Sequence, residues 1–219
     1  MPAKTFAVIG MGRFGSSVAK TLYEMGYEVM AIDSCEERIQ EYIQYVTYAV
    51  QADATDEQAL KELGIRNFDV VVVAIGDDIQ ASILTTLILK ELGVKQITVK
   101  AQNERHGKVL YKLGADRVVF PERDMGSRIA NNLVSPNVLD FIELAEDYSV
   151  VEVVAGERLV GKSLIELNIR ARFGVNVMAI KSGAHINIAP QADDTIQKDD
   201  ILVVIGENRD LRRFEQHII

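Results

Sequence analysis

The stretch "FAVIGMGRFG", Phe6 to Gly15, holds the residue pattern of this chain most suited to chemistry. Gly10, Gly12 and Gly15 have the G-x-G-x-x-G spacing of a dinucleotide-binding turn. The first glycine permits the tight bend, the second lets a phosphate approach the backbone, and the third lets a helix pack on the strand. The helix N-terminus adds N–H donors and a positive dipole end. Such a motif is weak alone. Here an acid, Asp33, follows Gly15 by about 18 residues, near the expected spacing of about 20. Asp33 is placed to accept hydrogen bonds from an adenosine ribose, and its charge would repel a 2′-phosphate, which argues against NADP.

Arg13 sits inside the turn. A cation at the positive end of a helix is mildly unfavourable. A terminal polyphosphate reverses that, because a charge-assisted arginine–phosphate bond contributes about 1.5–3 kcal/mol. NAD has no terminal phosphate, so Arg13 tilts the choice towards ATP or ADP. Further along, Asp53 with Ala54 and Thr55 in "QADAT" would lie beside the adenine; equally, Asp53 caps a helix starting near Thr55. "AIGDD" (74–78) brings Ile75 and Gly76 to the same edge, and Lys100 ends a later strand. Phe14 and Ser34 complete the candidate nucleotide contacts. Glu122 in "FPERDMG" reads as a first-turn acid after Pro121, stabilised by the helix dipole.

These residues need a scaffold, and the hydrophobic pattern specifies one. Candidate strands are 5–9, 28–32, 47–51, 69–75, 96–100 and 117–120, separated by helical patterns near 13–25, 36–44, 56–63, 78–92 and 104–113. Gly26, Gly64, Gly93 and Gly114 fall where helix C-caps are expected. The strands are near-continuous Val/Ile runs, which indicates burial on both faces. The fold class is α/β: a Rossmann-type, doubly wound parallel sheet over residues 3–120. A crossover helix over 121–134 begins near Glu122 and ends at "SPN". Residues 135–219 form a small α+β domain, opening with an amphipathic run "VLDFIELAE". Alternating strands follow in "SVVEVV", "VNVMAI", "HINIA" and "ILVVIG", with one helical segment, "SLIELNI". A unit of this size has a marginal core that dimerisation often completes.

The bulk composition excludes several classes. Formal net charge is -8, with 24 Lys and Arg against 32 Asp and Glu, which disfavours nucleic acid as a partner. One cysteine, Cys35, forms neither an internal disulfide nor a thiolate metal cage, which fits a reducing cytoplasm. No leader pattern opens the chain, and no apolar run reaches the roughly 18 residues of a membrane span. Any work at a membrane therefore goes through a partner.

Over essentially its whole length the chain resembles the RCK (TrkA-type) regulatory subunits of bacterial Ktr potassium transporters. The resemblance rests on "FAVIGMGRFG", "QADATDE", "LGIRNFDVVVVAIGDDIQASILTTLILKELG" and "VKAQNERHGKVLYKLGADRVVFPERDMG". It implies a cytoplasmic subunit, peripheral on the inner face of the membrane, in which homodimers assemble into a homo-octameric ring. The ring would dock beneath a potassium-translocating subunit of the KtrB/KtrD type. The resemblance further implies ATP and ADP as ligands, with Arg13 on their phosphates, Asp33 on the ribose, and Asp53 with Thr55 on the adenine side. It matches Glu122 to a glutamate beside a divalent cation, Mg2+ or Ca2+, that accompanies ATP. For the C-terminal domain it implies cyclic di-AMP, held at a dimer interface by Ile169, Arg170, Ala171, Asn176, His185, Ile186 and Pro190.

Two alternatives come from other functions of the same fold: an RCK regulator that binds NAD(H), or an NAD-dependent oxidoreductase. The latter needs an acid–base group near the nicotinamide. His106 at a helix start, His185 before "INI" and His217 in the C-terminal tail lie in no catalytic frame, and each reads as a surface residue. The chain also lacks the G-x-x-x-x-G-K-[ST] loop of ATP hydrolysis. Binding without chemistry, and hence no enzyme, is the expectation.

Overall fold

The computed structural model describes residues 4–134 and 138–218. The chain forms two compact units, Met1–Arg123 and Asp124–Ile219.

In the first unit six strands build one parallel sheet. They are β1 (Thr5–Ile9), β2 (Glu28–Asp33), β3 (Tyr48–Gln51), β4 (Val70–Val73), β5 (Ile97–Lys100) and β6 (Arg117–Val119), in the order β3-β2-β1-β4-β5-β6. Helices α1 (Arg13–Glu24), α2 (Glu36–Tyr42), α3 (Glu57–Glu62), α4 (Ile79–Glu91) and α5 (Glu104–Lys112) connect them. Alternate residues of each strand enter different cores: Ile9, Val71, Val73 and Val99 lie in one, Val8, Val29, Val70 and Val72 in the other. Both sheet faces are therefore covered, as the unbroken apolar runs predict. The glycines expected after α1, α3, α4 and α5 all take left-handed backbone. Strand order reverses between β1 and β4, and ligands of such sheets collect at the carboxyl edge of that point.

One expected cap is corrected. Asp53 does not cap α3; Asp56 does, its carboxylate accepting from the N–H groups of Gln58 and Ala59. Asp53 Oδ1 instead accepts from Thr55 N at 2.9 Å and Thr55 Oγ1 at 2.7 Å, a local turn that sets the helix start three residues later.

Helix α6 (Pro121–Val134) crosses the division between the units. The second unit contains β7 (Val138–Ala145), β8 (Tyr148–Val154), α7 (Leu164–Leu167), α8 (Ile169–Phe173), β9 (Asn176–Ser182), β10 (His185–Asn187), β11 (Ile201–Glu207) and α9 (Asn208–Ile218). Its sheet is antiparallel, in the order β10-β9-β11-β8-β7. Three elements go beyond the sequence expectation. The amphipathic run after the crossover helix is strand β7, because it pairs along β8 from Val138 to Ala145. The helical segment does not stop at Ile169: Asn168 takes left-handed backbone at φ 44° and the chain restarts as α8. The C-terminal tail is helix α9, which buries Leu211 and Phe214 one turn apart in the core. Its first residue is tied to β8 by a Ser149 Oγ–Asn208 Oδ1 hydrogen bond of 2.7 Å. Among the described residues no helix is long and apolar enough to cross a membrane.

Candidate functional site

The glycine turn is built as its spacing demands. Gly10 takes φ +95°, and a Cβ there would lie 3.1 Å from the Ala74 carbonyl carbon and the Ile75 nitrogen. A Cβ on Gly15 would lie 1.8 Å from the Gly10 oxygen, so any side chain would push α1 off the turn. Gly12 differs: nothing lies within 4 Å of its Cβ position. It is the N-cap of α1, no side chain caps it, and no acid occupies the first helical turn. The N–H groups of that turn are thus open to an anion, with Arg13 exposed beside them and Phe14 packed against the neighbouring core.

Asp33 is buried at 6% exposure directly under this turn. Its Oδ2 accepts from Met11 N at 2.6 Å and its Oδ1 from Cys35 N at 2.9 Å. The acid therefore braces the turn; a carboxylate has about four acceptor sites, which leaves room for a ligand hydroxyl. Arg38 Nη1 lies 3.5 Å from the same Oδ2. Ser34 is exposed, and its carbonyl accepts from Gln51 Nε2 at 3.1 Å. In the adenine-side segment Asp53 is exposed, its carboxyl lowered first by the Thr55 N–H and then by the Thr55 hydroxyl. Ala54 turns its methyl into the core and offers a ligand only backbone; its carbonyl accepts from Thr85 Oγ1 of α4 at 3.2 Å.

The opposite end of the crevice is charged. Lys100, the last residue of β5, places Nζ 2.6 Å from Glu122 Oε1 in the first turn of α6. The Glu122 carboxyl is held below its ordinary range, mainly by this bond, with its own backbone N–H and the charge of Arg13 adding to the effect. Arg13, Lys100 and Glu122, from three separate elements, thus converge at the open glycine turn. Gly76 is a notch for the lysine: a Cβ there would stand 3.2 Å from Lys100 Nζ. Ile75 beside it is half-buried.

Two neighbours were missed from the sequence. Gln102 Nε2 donates to the Gly76 carbonyl, fixing the notch, and its place just after β5 on the carboxyl edge was the available signal. Arg38 carries no motif; only its position on α2, after the acid, hinted at it. His106 is corrected from surface to core. It is 4% exposed, its Nδ1 accepts from Gln102 N at 3.3 Å, and this contact turns the ring inward from the start of α5. Burial lowers its pKa, favouring neutral imidazole.

The arrangement suits a nucleotide with a terminal polyphosphate: N–H donors at the turn, and cations at Arg13 and Lys100. For a divalent ion, Glu122 supplies a carboxylate beside Lys100, and among the described residues no group of three His, Cys, Asp or Glu could hold a metal. That donor set fits Mg2+ bound through one carboxylate plus phosphate oxygens.

In the second unit, Arg170, Ala171, Asn176, His185 and Ile186 are exposed and Pro190 is half-buried. Ile169 is the exception: at 5% exposure its side chain packs in the core with Phe173. Within one chain the set is spread out. His185 pairs with Ser182, six residues along β9 from Asn176, a strand distance of about 20 Å. His217 is half-buried, its ring 4.9 Å from that of Phe173 and its Nε2 3.0 Å from Arg172 Nη2.

The first unit is thus Rossmann-type with an open glycine turn, and the second is a small antiparallel unit. The model of the TrkA-N domain matches residues 6–121, and that of the TrkA-C domain matches 148–218. The chain belongs to this family, the RCK-type regulatory subunits of bacterial Ktr systems. Ktr system potassium uptake protein C of Bacillus subtilis (strain 168) is 57% identical over 99% of this chain and 98% of that protein. Ktr system potassium uptake protein A of the same organism is 52% identical over 97% and 96%. The GsuK channel shares the fold, with a TM-score of 0.70 and 17% identity over 99% of this chain. This chain spans 39% of that channel's length.

Proposed function

We propose that this chain is a cytosolic, nucleotide-gated regulator of potassium transport and not an enzyme. It assembles as homodimers into a homo-octameric ring on the inner face of the membrane and controls a potassium-translocating partner of the KtrB/KtrD type. The observation that carries the reading is the convergence of Arg13, Lys100 and Glu122 at an open glycine turn. ATP, with a divalent cation at Glu122, favours the conducting state, and ADP the resting one. A ligand shifts such an equilibrium only through its different affinity for the two states, and the γ-phosphate is the difference available. The identity of the Ktr relatives over nearly the full chain supports the transport role.

Calorimetry with ATP, ADP and NAD tests the ligand. Arg13→Ala is expected to weaken ATP more than ADP, and both more than NAD, the first by roughly tenfold or more. Equal losses for all three would remove the phosphate assignment. Potassium flux in reconstituted vesicles tests the gating, and identical flux with ATP and ADP would refute it.

In the second unit we place cyclic di-AMP as an inhibitor. Asn176 and His185 are too far apart along β9 to meet one ligand within a chain. On a two-fold axis the residues of two chains can meet, and a symmetric dinucleotide then finds one Arg170 for each phosphate. Arg170→Ala should abolish cyclic di-AMP binding and leave ATP affinity unchanged.

A further inference from the structure

Lys100 and Glu122 form an unequal pair. The lysine side chain is 13% exposed and the glutamate side chain 70%. The ammonium is therefore the fixed member, held over the Gly76 notch and 6.0 Å from the Phe14 ring centroid, and the carboxylate comes to it. That position lies beside Phe14, in the helix that opens at the glycine turn. A carboxylate facing a polyphosphate is repulsive unless a cation stands between them, so Glu122 needs a counter-charge whenever a nucleotide binds. A divalent cation supplies one, and where it takes the Oε1 that Lys100 holds, the two cations repel and the ammonium is excluded from that oxygen.

From this exclusion we infer that Lys100 is a built-in stand-in for the divalent cation at Glu122, an inference that rests on the nucleotide reading of the site. Without metal, the ammonium neutralises Glu122 and lets a nucleotide bind. When a metal ion arrives with ATP, it takes the carboxylate, and Lys100 turns to the phosphate oxygens. Lys100 thereby makes nucleotide occupancy independent of the ion, and leaves the ion to select among bound states.

The test is calorimetric binding of ADP and ATP to the full chain, in chelator and in excess Mg2+. For Lys100→Met, metal-free affinity is expected to fall at least about tenfold, the scale of one charge-assisted bond, and Mg2+ to restore most of it. Glu122→Gln added to Lys100→Met should restore metal-free binding and erase the Mg2+ dependence. Lys100→Arg, which keeps the charge, should bind as the unaltered chain does; it also separates charge from folding defects. An equal loss for Lys100→Met with and without Mg2+, not recovered by Glu122→Gln, would make Lys100 an ordinary phosphate ligand and overturn the inference. Unchanged metal-free binding in Lys100→Met overturns it too. If the unaltered chain binds neither nucleotide, the nucleotide reading itself falls and this inference with it.

Discussion

The two sheets of this chain solve the same problem by different means. In the first unit the parallel sheet packs a core on each face, and Val70–Val73 are buried at all four positions. In the second unit the antiparallel sheet leaves large apolar side chains in solvent: Leu139, Ile142 and Leu144 on β7, Met178 on β9 and Ile186 on β10. A sheet covered on both faces completes its own core, whereas one with an uncovered apolar edge strand is suited to association. The first unit thus buries its sheet within itself, and the second leaves apolar side chains exposed.

The comparison is most strongly tested at the glycines. Gly15→Val places a side chain where a Cβ already stands 1.8 Å from the Gly10 oxygen. It should destabilise the first unit by about 3 kcal/mol or more, read as a fall in its denaturant midpoint. Gly12→Ala meets no atom within 4 Å and should leave stability within about 0.5 kcal/mol while weakening nucleotide binding. Equal destabilisation by both would mean that the turn is packing alone. Next in size is the β7 edge. Ile142→Lys with Leu144→Lys should lower the oligomer size seen by light scattering, with little change in the melting of the first unit; an unchanged oligomer would break the contrast drawn above.

The smallest expected effect is a pH dependence confined to the first unit. Burial holds the His106 pKa below imidazole's ordinary value of about 6.5. A lowered pKa means that the folded state binds fewer protons, so the stability it contributes is present above about 6.5 and lost as pH falls through the folded value. Between about pH 7 and pH 5 the unaltered chain should lose more melting temperature than His106→Gln. Parallel curves would show that folding does not shift the His106 pKa.

The contrast between the units also governs what their sequences disclose. Continuous Val and Ile runs separated by glycines made the six parallel strands legible, because burial on both faces leaves no other solution. Strand β7 was not legible: its alternation is imperfect, and only pairing with β8 fixes it as a strand. Helix α9 escaped for a similar reason, since Leu211 and Phe214 become a helical face only when a core receives them. At the site, the glycines and Asp33 could be read by spacing. The Lys100–Glu122 contact is made by chain topology across 22 positions, and no local rule finds it. Asp53 and Asp56 lie three positions apart, either able to cap, and the choice was made by the Thr55 hydroxyl. His106 was misread because polar residues at helix starts usually face water.

The pairing of β1 has a consequence for the moment of synthesis. Of the six strands of this sheet, β1 leaves the ribosome first, and β2 joins one of its edges soon afterwards. Its other edge waits for β4, since Phe6 pairs with Val70, about 64 residues later. At about 5–20 residues per second that edge stays open for roughly 3–13 s. Over the same interval Gly10 lacks the Ala74 and Ile75 backbone against which it lies. A nucleotide therefore cannot assist the nascent chain until residue 75 has emerged, and an apolar strand edge must be shielded by other means until then.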